Sequence, residues 1–179
     1  PSAVAAKFLN QPQDPHPGLQ GRDSLAEAIA LAKAQDLQVI PWFEFGFMAP
    51  AESEWVAAHP DWLTQNAQGE TIWMEGKTHP RVWLNPLHAE VQELMTALAL
   101  EIVTNYDVDG IQFDDHFGYP SSLGYDRLTV DRYRQATGHN PPPPPTLDPN
   151  QNCVSADPDW QAWTNWRSDQ ITAYLETLV

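Results

Sequence analysis

Val108-Asp-Gly-Ile-Gln-Phe-Asp-Asp-His-Phe-Gly-Tyr-Pro120 reads as a short apolar strand, Val108 to Phe113, running straight into two adjacent acids, Asp114 and Asp115, and then an aromatic loop. Strands of parallel α/β folds are buried on both faces, so a carboxylate at the C-terminal end of one stands at the mouth of the sheet, where ligands collect. Side chains alternate along a strand, so one of the two acids points into that mouth, and the sequence leaves open which. To act as a general acid it needs its pKa raised by burial or by a neighbouring carboxylate. The competing structural account is an acidic pair that caps a loop or faces the next helix. His116, Phe117 and Tyr119 follow closely, placed to orient a substrate or the acid. A lone loop histidine is more often a polar surface residue.

Upstream, Leu37 to Phe43 is an uncharged β-branched and aromatic run that suits a buried strand, although Pro41 is awkward in a central ladder. Glu44 closes this run and reaches the same rim as Asp114. Trp42 and Phe45 flank it as candidate sugar contacts. An ion pair with a loop arginine such as Arg81 is the structural alternative for Glu44. Residues 1–21 are broken by Pro12, Pro15 and Pro17, and Ser24-Leu-Ala-Glu27 has capping-box spacing for a helix to about Gln35.

An insert of loop and hairpin around 51–84 follows. It holds a short helix at Glu52–Ala58, a hairpin from Leu63 to Trp73 around Asn66-Ala-Gln-Gly69, and a polar loop from Glu75 to Arg81. Asn85-Pro86 predicts a helix start, the helix running to about Asn105 with Val91, Leu94, Met95, Leu98 and Ile102 as its apolar stripe. Asn85 is thus a helix cap on local grounds and a substrate contact on the functional reading. Beyond the Val108–Phe113 strand, Asp126 to Ala136 predicts a helix stopped by Gly138. Pro141 to Pro145 predicts a stiff extended loop rather than a ligand for a proline-binding module. A last helix opens at Asp157-Pro158 and continues to Val179, with Trp160, Trp163, Ile171, Tyr174 and Leu178 on its buried face.

The order is helix, strand, insert, helix, strand, helix, which joins two parallel strands by a right-handed crossover. The expected class is α/β of the (β/α)8 TIM-barrel type. A whole barrel takes about 250 residues, so the 179 residues here read as one segment of a partial barrel lacking the first and last strands. Open strand edges and uncovered apolar faces would then favour association with another copy.

Composition narrows the function classes. Twenty-four acids against 9 bases give a net charge of -15, which argues against nucleic acid or an anionic membrane as a partner. Eight tryptophans suit the C–H faces of sugars, and suit core packing equally well. A single cysteine, Cys153, excludes an internal disulfide and a cysteine zinc site. His59, His79 and His88 have no metal-binding spacing, and no phosphate loop or GxSxG turn is present, so no metal or cofactor is expected. No signal peptide or membrane-spanning segment is evident, and the start at Pro1-Ser2 suggests a processed product.

NYDVDGIQFDDHFGYP, FEFGFMAP, HPDWL and VWLNPLHAEVQELM together resemble the glycosyl-hydrolase-like 10 family, in its cyanobacterial form, across nearly the whole chain. The resemblance implies a (β/α)8 barrel acting on polysaccharide, with bacterial cell-wall glycan among its substrates, at the cell envelope or secreted. It implies that Leu37–Phe43 is the third strand and Val108–Phe113 the fourth. Asp114 and Asp115 would be the family's acidic pair, and Glu44 the acid closing the third strand. Many retaining barrel glycosidases instead carry Asn-Glu on the fourth strand and a nucleophilic Glu on the seventh. The segment is therefore expected to be inactive alone.

The leading expectation is a glycoside hydrolase in which Asp114 or Asp115 protonates the glycosidic oxygen and Glu44, or an acid elsewhere in the protein, activates water or attacks. Trp42, Phe45, His116, Phe117, Tyr119, Asn85 and Arg81 are the candidate substrate contacts. A non-catalytic carbohydrate-binding barrel is the alternative. A deacetylase or lyase carries less weight for want of a metal site.

Overall fold

The structure, a computed structural model, describes residues 17–44, 46–118, 120–145 and 157–178. Most of the irregular N-terminal stretch and Cys153 lie outside the described residues. The fold is mixed α/β. Helix α1 spans Ser24–Lys33, strand β1 Trp42–Phe43, β2 Met48–Pro50, helix α2 Glu54–Ala58, β3 Trp73–Glu75 and β4 His79–Trp83. Helix α3 spans Ala89–Asn105, β5 Gln112–Phe113, α4 Arg127–Thr137 and α5 Pro158–Leu175.

β1 and β5 pair in parallel, with Trp42 opposite Gln112 and Phe43 opposite Phe113. The two strands expected to be neighbours are therefore neighbours, and helix α3 lies between them in the chain. Both ladders are shorter than the apolar runs Leu37–Phe43 and Val108–Phe113 suggest. Pro41 has no N–H to give, although its carbonyl accepts from Gln112 N at 2.9 Å. One step earlier, Asp109 N donates to the Val39 carbonyl at 2.9 Å while Val39 N donates to the Asp109 side chain at 2.8 Å. A carboxylate thus replaces a backbone partner, and extended pairing persists without a regular ladder. Nor is the first run buried, since Leu37, Ile40 and Trp42 are all more than half exposed.

The hairpin register also differs from expectation. Asn66 does make a turn, its Oδ1 accepting from Gln68 N at 3.0 Å and Glu70 N at 2.9 Å. The flanking residues pair elsewhere, Leu63 with Leu84 and Asn66 with Leu123. The regular hairpin is β3–β4, turning at Gly76 with φ 62. The stretch expected as a polar loop, Glu75 to Arg81, contains its turn and much of its edge. β2 completes this antiparallel sheet in the order β2-β4-β3. Polar residues mark β4 as loop-like because its first half is exposed, whereas Val82 and Trp83 are buried.

Two helix starts shift as well. Asp23 rather than Ser24 caps α1, accepting from Ala26 N at 2.9 Å, and Glu27 pairs with Arg22. α3 begins at Ala89, with His88 as its cap position, instead of at Asn85-Pro86. α4 follows its expectation: Asp126 caps it and Gly138, at φ 77, ends it. Asp157 caps α5 through Asp159 N.

The main core gathers Phe47 and Met48 from around the start of β2, Trp62, Trp83 and Leu84 from the insert, Val91, Leu94 and Met95 from α3, Phe117 and Leu123 from the loop after β5, and Tyr174 from α5. Burying each such side chain contributes about 1.5–3 kcal/mol. A second cluster joins α4 to α5 through Tyr133, Trp160 and Trp163. No helix among the described residues is long and apolar enough to cross a membrane.

Candidate functional site at the ends of the parallel strands

Because β1 and β5 are parallel and in register at Phe43 and Phe113, the next residues, Glu44 and Asp114, leave the pair at the same end. The loop after β5 opens with a 3-10 turn, Asp115–Phe117, capped by Asp114. Asp114 Oδ1 accepts from His116 N at 2.9 Å, and His116 Nδ1 stands 3.1 Å from Asp114 Oδ2. The same Nδ1 lies 2.9 Å from the Glu44 carbonyl oxygen. A carbonyl oxygen only accepts, so Nδ1 carries the hydrogen.

These contacts separate the paired acids. The Asp114 side chain is 9% exposed and committed to His116. Asp115 and the Glu44 side chain are exposed. Burial by itself pulls the His116 imidazole down, but the Glu44 carbonyl and the charges of Asp114 and Asp115 outweigh it and hold its pKa above the ordinary histidine value.

Gly46 makes this junction sterically feasible. Its φ is 48, and a Cβ there would fall 2.3 Å from the His116 carbonyl oxygen. That oxygen accepts from Phe47 N at 2.9 Å, and Leu84 N donates to Phe47 O at 2.8 Å. The strand ends, the 3-10 turn and the inserted sheet are thereby stitched together.

The other candidates divide. Trp42 is 57% exposed beside Gln112, open to a ligand. Phe117 is a core residue instead of a sugar platform: it is 4% exposed and packs on Phe113, Phe47 and Phe43 at 4.4, 4.8 and 6.0 Å. The 3-10 turn folds its ring inward, which sequence spacing does not reveal. Asn85 is 1% exposed and spends its side chain on Asp126, Thr129 and Leu87 N, so it is not brought to the rim. Arg81 lies on β4, paired with Glu75 at 2.8 Å rather than with Glu44. That guanidinium, through its hydrogen bond and then its charge, holds the Glu75 carboxyl below its usual range. Phe45 and Tyr119 lie outside the described residues.

Sequence reasoning missed Trp83. Its ring stands 6.2 Å from the His116 imidazole, its Nε1 donates to Gly118 O at 2.7 Å, and Trp73 abuts it edge-on at 5.1 Å. The signal was the apolar triplet Val82-Trp-Leu84, which marks a strand returning to the same end.

Asp114, Asp115 and His116 each bring one ligand-type atom within 4.8 Å of the others, and among the described residues this is the group able to hold a cation. Asp114 and His116 Nδ1 are already engaged with each other and with the backbone. The chemistry the arrangement offers directly is that of carboxylates: an anchored Asp114 with exposed Asp115 and Glu44 beside it.

A family model described as Glycosyl hydrolase-like 10 matches residues 1–179. Among curated proteins, the glycosyl hydrolase DigH of Escherichia coli (strain K12) is 34% identical over 80 residues, covering 45% of this chain and 15% of that protein. DigH of Shigella flexneri matches to the same extent. The chain thus aligns with a small part of these relatives' length. Among solved structures, α-L-fucosidase isoenzyme 2 from Paenibacillus thiaminolyticus shares the fold over 88% of this chain and 21% of its own, with TM-score 0.54 and 20% identity. The α-galactosidase TtGalA from Thermus thermophilus covers 63% of this chain and 22% of its own, at TM-score 0.45 and 22% identity.

Proposed function

The chain belongs to the glycosyl hydrolase-like 10 family, and from that premise we propose that it is part of a glycoside hydrolase acting on a polysaccharide, with bacterial cell-wall glycan as the substrate to test first. The observation that carries the proposal is the shared exit of Glu44 and Asp114 from adjacent parallel strands, with Asp115 exposed next to them. Open α/β sheets bind ligands at that end of their strands.

Hydrolysis of a glycosidic bond takes one carboxyl group to protonate the leaving oxygen and a second to attack the anomeric carbon or activate water. Asp114, an acceptor toward two N–H groups, serves as the positioned member that meets positive charge on the sugar ring. Asp115 and Glu44 are free to approach the glycan, and one of them, or an acid elsewhere in the intact protein, delivers the proton. A separation of about 5–5.5 Å between the acting pair gives retention, and about 6.5–9.5 Å gives inversion. No metal or cofactor takes part in this scheme. Trp42 offers an exposed ring for a sugar to stack on.

On this reading the described strands are part of a (β/α)8 barrel, and the protein works at the cell envelope or outside it. Exposed Leu37 and Ile40 beside the two-stranded sheet are proposed as a surface for association with a second copy. The exposed Trp42 also favours a second reading, a protein that holds glycan without cutting it. Incubating the intact protein with glycan strands stripped of peptide separates the two. New reducing ends mark the hydrolase, and affinity without them marks the binder.

A further inference from the structure

His116 contacts the site on four sides. Its backbone N and its Nδ1 reach the two oxygens of Asp114, at 2.9 and 3.1 Å. The same Nδ1 reaches the Glu44 carbonyl at 2.9 Å, and its own carbonyl accepts from Phe47 N at 2.9 Å. One residue of the β5 loop therefore grips the acid on its own strand and the neighbouring chain at Glu44 and again at Phe47. Trp83 backs the imidazole at 6.2 Å and holds the turn through Gly118. With Nδ1–H shared between the Glu44 carbonyl and Asp114 Oδ2, Nε2 is left outside this set of bonds.

On the glycosidase reading above, we propose that His116 is a positioning residue, whose Nδ1–H fixes the Asp114 carboxylate at a set angle to the end of β1. Without that hydrogen, Asp114 keeps only the bond from the turn backbone and its second oxygen is free to swing. Asp114 then meets the sugar in a spread of orientations, while the protein still binds glycan.

The two ring nitrogens give the test. Asn carries its amide near the Nδ1 position, whereas Gln reaches toward Nε2. In the intact protein acting on peptide-free glycan strands, His116→Gln and His116→Ala should lower kcat about 100-fold, the cost of a misplaced acting group, with KM unchanged. His116→Asn should recover most of the loss. Full kcat in all three variants, or an equal fall in all three that tracks their thermal midpoints, overturns the proposal. If the unsubstituted protein releases no reducing ends, the glycosidase reading is what fails. Nitrogen NMR of the imidazole then decides the contact itself: a protonated Nδ1 whose resonance moves in Asp114→Asn upholds it, and an unprotonated Nδ1 removes it.

Discussion

Asn85 Nδ2 donates to Asp126 Oδ1 at 2.7 Å, with both side chains buried. Thr64 and Thr129 complete the set, Thr64 Oγ1 donating to Asp126 Oδ2 at 2.8 Å and Thr129 N to Asp126 Oδ1 at 3.0 Å. Thr64 Oγ1 in turn accepts from Gly124 N at 2.9 Å. This buried polar network ties the insert to the cap of α4, and so to the loop that starts at Asp114. Asn85→Ala takes a donor from Asp126 and Thr129 and an acceptor from Leu87 N, and should cost at least about 1–3 kcal/mol. Urea unfolding should show a lower midpoint at unchanged slope. An unchanged midpoint would mean that the network holds nothing together.

Gly46→Ala tests the junction between strand ends. A left-handed backbone costs an L-residue about 1–2 kcal/mol, and the Cβ meets the His116 carbonyl besides. The variant should lose at least that much stability, and its His116 imidazole resonances should shift. Gly69→Ala has a comparable φ of 80 and open space around it. It should lose stability without moving His116.

Arg167 anchors the far end of the same loop. Its Nη1 donates to the Ser121 carbonyl at 3.1 Å and also to the Leu123 carbonyl, while its guanidinium lies 4.5 Å from the Trp163 ring centroid. Arg167→Lys keeps the charge but loses the planar fork and the stacking. A cost of about 1.5–3 kcal/mol follows from the lost charged hydrogen bonds, read by thermal or urea unfolding. A fully stable Lys variant would contradict the assignment.

The raised pKa of His116 has a signed consequence. A group with a folded-state pKa above its unfolded value stabilises the fold fully below the unfolded value, about 6.5 for histidine. That contribution disappears as pH rises through the folded pKa. Native-state NMR titration should place the His116 midpoint above the unfolded one, and Asp114→Asn should lower it. A midpoint at or below the unfolded value would show that burial outweighs the Glu44 carbonyl and the two aspartates.

Much of this was legible in the sequence. The apolar run into Asp114 and Asp115, the crossover through α3 and the caps of α4 all depend on local pattern, and local pattern reports them. Contacts between distant segments are where the reading broke down. The β3–β4 hairpin is displaced from the expected one because its turn and the first half of β4 are polar and exposed, while Asn66 offers a stronger turn signal nearby. Asn85 resembled a helix cap because Pro86 follows it, but its partners Asp126 and Thr129 lie about forty residues away. Phe117 resembled a rim aromatic because only the 3-10 turn shows its ring going inward. His116 sat in plain view beside the acids, yet its bond to the Glu44 carbonyl spans 72 positions.

The most direct test of the central claim is the release of reducing ends from peptide-free glycan strands. The intact protein should release them, residues 1–179 alone should not, and the Asp114→Asn, Asp115→Asn double variant should be silent while remaining folded. Full activity in that double variant, or none from the intact protein on any glycan, would contradict the claim that these strand-end carboxylates cut a sugar chain.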